Sequence, residues 1–174
     1  MKLLLSLTLF STFCCLASGK EGKTVHWPQF RGPGATGVAE GFETPISWDV
    51  PKNRNLKWKT SIPGLGHSCP VVWGDRIFLT TAISDKERDS LKIGIYHEIA
   101  PVENDGVHVW KLYCIDKATG KILWEKLCHK GIPKDKRHTK SSHANCTPAT
   151  DGKRVVTFFG SEGLYCHDFQ GKLL

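Results

Sequence analysis

Helical periodicity is what this sequence has least of. Beyond residue 19, apolar residues do not recur at three- and four-residue steps, and the only stretch compatible with a short helix is "SDKERDSLKIG", near Ser84 to Gly94. That scarcity excludes a helical protein. Compact metal motifs are missing too: there is no C-x-x-C and no H-x-x-x-H pair. Ser141-Ser142 beside His143 lacks the context of a nucleophile elbow. "FFGSEG" reads as a Gly-bounded strand turn and not as a phosphate loop, because no helix follows it. Nor does a cluster of carboxylates converge for Ca²⁺.

Five cysteines, Cys69, Cys114, Cys128, Cys146 and Cys166, lie beyond residue 19. An odd number without dense spacing excludes a disulfide framework, so the expectation is small buried thiols on strands, with at most one pair bridged. Acidic charge is in the minority, and the formal net charge is +7. Much of the excess sits in "HKGIPKDKRHTK", His129 to Lys140, where five cations face one Asp. This cluster has no recognition helix, no zinc spacing and no interleaved aromatics, so it reads as a solvated loop and not as a nucleic-acid site.

What is there begins with a leader. Met1-Lys2 is a positive start, Leu3 to Leu16 is apolar apart from a few Ser and Thr, and Ala17-Ser18-Gly19 supplies small residues. This is the pattern of a secretory signal peptide, residues 1–19, too short for a spanning helix. The protein is therefore expected to be extracytoplasmic, periplasmic or secreted, with no transmembrane segment once the signal is removed. Cys14-Cys15 lacks the preceding small residue that a lipid-modified Cys needs, which points to a released protein.

The rest of the chain repeats itself. "LYCIDKATGKILW" (Leu112 to Trp124) is echoed by "LYCHDFQGKLL" (Leu164 to Leu174). "HSCPVVWGDRIFLTTA" (His67 to Ala82) aligns with "HANCTPATDGKRVVTFFG" (His143 to Gly160), so that Pro70 matches Pro148, Gly74 matches Gly152 and Arg76 matches Arg154. Each copy reads as a short strand, a tight turn and a longer strand rich in β-branched and aromatic residues. "VHVWKLYCID" and "KILWEKLC" are two further strands joined by "KATG". "LKWKTSI" (Leu56 to Ile62) resembles the last of these and places Trp58 where Trp124 stands.

The least decorated spacings are 18 positions from Pro148 to Cys166, 10 from Cys114 to Trp124 and 12 from Trp58 to Pro70. Together they make 40, close to the ~40–45 residues of a four-stranded propeller blade. The expected fold is all-β: a β-propeller of four-stranded antiparallel blades. Present are an N-terminal lead, one outer strand, one full blade and most of another, with inserted loops at 83–107 and 128–143. Two blades cannot close a ring and hide its strand edges. Residues 20–174 are therefore expected to be the N-terminal part of a longer propeller domain, or else to associate.

"IDKATGKILW", "WPQFRGP" and "WKTSIPGLGHSCPVVWGDRIFLTTA" together resemble the pyrroloquinoline-quinone-type (PQQ-like) β-propeller repeat proteins of exported bacterial type. The resemblance covers nearly all of the chain after the signal. It implies seven or eight blades in the whole protein, and blade-docking roles for Trp58 and Trp124. Gly120 and Gly171 would end the turns, and Asp116 and Asp168 sit at equivalent turn positions. The family mixes quinone dehydrogenases with non-enzymatic scaffolds, among them a lipoprotein of the outer-membrane β-barrel assembly machinery. A residue repeated in every blade is a poor choice for a unique active site, so no catalytic, cofactor-binding or metal residue is assigned. The expected function is an exported, non-catalytic binding or scaffold module of the cell envelope. It would present loops 83–107 and 128–143 to an envelope protein or glycan. The alternative is a PQQ- and calcium-dependent alcohol or sugar dehydrogenase, with its active site mainly beyond residue 174. His67 and His143 precede equivalent strands with Cys69 and Cys146 close behind, which makes them candidate ligands; a repeated structural role is the expectation for both.

Overall fold

A computed structural model of the chain describes residues 26–86, 101–103 and 106–174. The signal peptide read at 1–19 lies outside the described residues, as do most of the 83–107 insert and all but Ser84–Lys86 of the expected short helix. Within the described residues the regular structure is β, joined by two single-turn 3₁₀ segments at Pro33–Ala35 and Gly160–Glu162.

Eight strands form two antiparallel sheets. The first runs in the order β1 (His26–Trp27), β2 (Val71–Trp73), β3 (Arg76–Ser84), β4 (His108–Asp116) and β5 (Ile122–Gly131). The second holds β6 (Ala149–Thr150), β7 (Arg154–Phe158) and β8 (Leu164–Asp168). The two copies seen in the sequence share one register. Arg76 faces Asp116 as Arg154 faces Asp168, and Phe78 faces Cys114 as Val156 faces Cys166. Even the start of a fourth strand repeats, since Ile115 faces Ile122 and His167 bridges to Leu173. A side-chain period of two makes such agreement strict, because a slip of one residue would turn the buried face outward.

Burial follows from that register. Val71, Phe78, Leu112 and Cys114 from the first sheet meet Val155 from the second, all at 0% exposure, with Trp124, Cys128 and Phe169 packed at their margin. Ala82, Trp110, Ala144 and Phe159 form a second cluster with Cys128 and Tyr165 beside it. Each fully buried large apolar side chain contributes roughly 1.5–3 kcal/mol, so these clusters hold the two sheets against each other.

Three expectations are corrected. Leu56 to Ile62 was expected to be an outer strand, yet it pairs with no strand among the described residues; its Trp58 and Thr60 reach the β4–β5 turn through side-chain bonds instead. A strand needs a ladder partner, and alternation in sequence does not supply one. The lead, conversely, adds a strand: His26 and Trp27 pair with Trp73 and Val72, and the carbonyl of Pro28 accepts the N–H of Thr150 at 2.9 Å. The cysteines were expected to be buried on strands. Cys114, Cys128 and Cys166 lie on strands, but Cys69 and Cys146 are exposed on the segments that precede β2 and β6, where no packed face covers them.

Candidate functional site

Two turns place the residues that the repeat singled out. After β4, the Asp116 Oδ1 atom accepts the Thr119 N–H at 2.7 Å and the Thr119 hydroxyl at 2.6 Å, while the Asp116 N–H donates to Lys121 O at 2.8 Å. Those bonds to Thr119 hold the Asp116 carboxyl below its ordinary pKa. After β8, Asp168 Oδ1 accepts the N–H groups of Gln170 and Lys172 at 2.9 and 2.8 Å. Gly120 and Gly171 close the turns at φ 74° and 82°, a region costly for residues with a Cβ. Over each glycine lies an indole: Trp58 on Gly120 and Trp124 on Gly171. Trp58 Nε1 donates to Lys117 O at 2.9 Å and Trp124 Nε1 to Phe169 O at 3.2 Å, the residue after the Asp in both cases. Each half-buried indole thus keeps its polar edge satisfied.

Both carboxylates are occupied by their own turns. Among the described residues, no three His, Cys, Asp or Glu side chains are placed to share a metal ion. No chemical step is assigned through a calcium–quinone site. No described helix is long and apolar enough to cross a membrane.

The structure brings His67 and His143 to one place. The His67 and Ser68 N–H groups both donate to Ala144 O, at 3.0 and 3.1 Å, and the Cys69 N–H donates to Thr147 Oγ1 at 3.0 Å. His67 stays exposed, whereas His143 is half-buried in a ring cluster that the sequence did not indicate. Its ring lies 4.8 Å from that of His108 and 6.0 Å from that of Trp110, and the Trp110 ring lies 5.2 Å from that of His129. Trp110 is fully buried and donates its Nε1 hydrogen to His143 O at 3.0 Å, latching the incoming loop to β4.

That loop, between β5 and β6, is tied down along its length. Lys134 N donates to Oε1 of the buried Glu162 at 2.8 Å, and Lys134 Nζ donates to Ser161 O at 2.9 Å. Lys136 Nζ meets both oxygens of Glu103 at 2.7 Å, and Val102 N donates to Arg137 O at 2.9 Å, so the two inserts touch. Asn145 Oδ1 accepts from Ser142 N and Ser142 Oγ at 3.0 and 2.8 Å, and Asn145 Nδ2 donates to Ser141 Oγ at 2.6 Å. Between this loop and the β7–β8 connection opens a cleft of about 260 Å³. Its lining comes from Asp135 to His138, from Ser141 to His143 with Asn145 and Cys146, and from Phe158 to Ser161.

Compared with known proteins, the chain matches no family model and no curated protein. Two residues that matter in this geometry escaped the sequence reading. Phe169 fills the position held by Lys117 in the first turn, and an aromatic in an otherwise polar turn was the available signal. Glu162 drew no reading of its own; its burial beneath Lys134 depends on where a distant loop returns, and nothing in the local sequence encodes that.

Proposed function

We propose that this chain is part of an exported β-propeller that binds or scaffolds in the cell envelope without catalysis. In this reading the two sheets are one blade and most of the next, and the 128–143 loop is the binding element. The observation that carries it is the tethered cleft between that loop and the β7–β8 connection. Along this loop Lys134 Nζ donates to Ser161 O, Lys136 Nζ pairs with Glu103 and Arg137 Nη1 donates to Ser141 O, which preorganises the cleft. The exposed Phe158 shares the cleft lining with Ser141, His143 and Asn145. An apolar face beside hydroxyl and amide groups suits one unit of a glycan or a polar protein loop, and the volume is near the low end of small-ligand sites (~300 Å³).

Binding to soluble envelope glycans and to cross-linked envelope proteins should be measured with the intact chain and with Phe158→Glu and His138→Glu variants. Affinity should fall at least ~10-fold in the variants while their melting temperatures stay unchanged. Unaltered binding in both variants removes the cleft from the function. Calcium-dependent alcohol or sugar oxidation after reconstitution with pyrroloquinoline quinone would replace the reading altogether. Export rests on the leader, and the mature N-terminus is expected at Lys20; a cytoplasmic product that retains Met1 would refute it.

A further inference from the structure

We propose that Cys69 and Cys146 are a redox-active pair that closes into a disulfide joining the segment before β2 to the segment before β6. The two cysteines stand 77 positions apart in the chain, yet their segments run side by side. Ala144 O accepts from Ser68 N at 3.1 Å, and Thr147 Oγ1 accepts from Cys69 N at 3.0 Å. Cys146 lies between those two points of attachment, directly before the residue that bonds Cys69. Disulfides form where Cα atoms approach within about 4.4–6.8 Å, and the bonds at Ser68 and at Cys69 itself hold the two segments next to each other. Both cysteines are exposed, so an oxidant can reach either sulfur.

The remaining thiols on strands offer a contrast. Cys114 is fully buried and Cys128 is half-buried; burial pushes the first thiol up to about 12 and the second up to about 11. A thiol held protonated in a packed core is a poor nucleophile. The chemistry is thiol–disulfide exchange with a disulfide oxidant such as oxidised glutathione or the disulfide of an oxidoreductase. One thiolate of the pair attacks a sulfur of the oxidant, whose S–S bond breaks and releases one thiolate. The second cysteine thiolate then attacks the mixed disulfide at the protein sulfur and expels the other half of the oxidant. The protein loses two electrons and two protons, and the oxidant gains both. Because Cys146 lines the cleft described above, the cross-link also fixes one part of its lining.

The sequence makes the test direct. Trypsin releases residues 60–76, "TSIPGLGHSCPVVWGDR", and residues 141–153, "SSHANCTPATDGK", each with a single cysteine. The full chain should be incubated under native conditions with oxidised glutathione, alkylated, digested without reductant and mapped by mass, with a parallel sample oxidised in denaturant. The expected result is one dominant cross-linked species joining these two peptides in the native sample, lost on reduction. In the denatured sample, cross-links should spread among the five cysteines beyond residue 19. Cys69→Ser and Cys146→Ser should each retain glutathione on the remaining partner and not form the cross-link. The proposal is overturned if the native protein carries glutathione separately on both cysteines, if both stay alkylated, or if native and denatured samples give the same mixture.

Discussion

The two Asp-to-Gly turns do the same thing in different ways. The first, Asp116 to Gly120, is one residue longer, uses Thr119 to saturate its Asp and carries Lys117 next to that Asp. The second, Asp168 to Gly171, saturates its Asp with backbone alone and carries Phe169 instead. Phe169 turns back onto the first sheet. Its ring lies edge-on to Phe78 at 5.1 Å, the Arg76 guanidinium sits 5.5 Å above it, and Arg76 Nη1 donates to its carbonyl. Trp124 reaches the same carbonyl from the other side. Turn one therefore receives an indole from an irregular segment, whereas turn two is a plug between two sheets. A shared backbone solution thus leaves room for one copy to become a tertiary contact and the other to stay peripheral.

The sharpest way to break that difference is to remove the two indoles. Trp124→Ala strips the margin of the cluster around Phe78 and should cost about 3 kcal/mol. Trp58→Ala should cost roughly half as much, since its segment belongs to no ladder. Urea melts of both variants decide this, and equal losses would show that the indoles do equivalent work.

Next come the residues after each Asp. Phe169→Ala should lose about 2 kcal/mol in the same melts, while Lys117→Ala should stay within about 0.5 kcal/mol. A small effect at Phe169 would return turn two to the status of an ordinary loop.

The glycines sharpen the comparison from the opposite side. A Cβ on Gly120 would lie 2.5 Å from the Trp58 ring and 2.9 Å from Thr60 Oγ1. On Gly171 the closest obstacle is the end of the flexible Lys126 side chain, with Trp124 at 3.1 Å. Gly120→Ala should therefore cost about 2 kcal/mol and Gly171→Ala about 1 kcal/mol, the shared part being the left-handed backbone. The opposite ranking in thermal melts would mean that Trp58 withdraws freely from its turn.

The smallest effect appears only with pH. His167 occupies the register position of Ile115, and both are 2% exposed. Its Nδ1 has no hydrogen-bond partner. Burial holds its pKa below the ordinary 6.5; Lys126 adds to the depression and Asp168 opposes it. The native state then binds fewer protons than the unfolded chain. Its contribution is complete above about pH 6.5 and is lost as pH falls through that value toward the depressed native pKa. His167→Ile, copying the first sheet, should flatten the dependence of stability on pH between about 7 and 5. An unchanged slope would assign the acid sensitivity in that range to other groups; Asp116 cannot supply it, because its lowered pKa acts only as pH falls below 3.8.

The sequence by itself determined the β class, the two copies, their common register and the turns that end in Gly120 and Gly171. Each of these is local: alternation with a period of two, turn residues with φ above zero, and recurrence at fixed spacing can all be read from neighbours along the chain. Tertiary structure alone decided that Leu56 to Ile62 pairs with no strand among the described residues and that the lead supplies a strand at the edge of β2. It decided as well that Glu103 meets Lys136 across two inserts, that Trp110 latches His143, and that the segments carrying Cys69 and Cys146 are hydrogen-bonded to each other. These contacts join residues tens of positions apart, and they form because packing the second sheet on the first brings loop ends to fixed points. Sequence pattern records which face of a strand is buried, but not where the far end of an inserted loop returns to the surface.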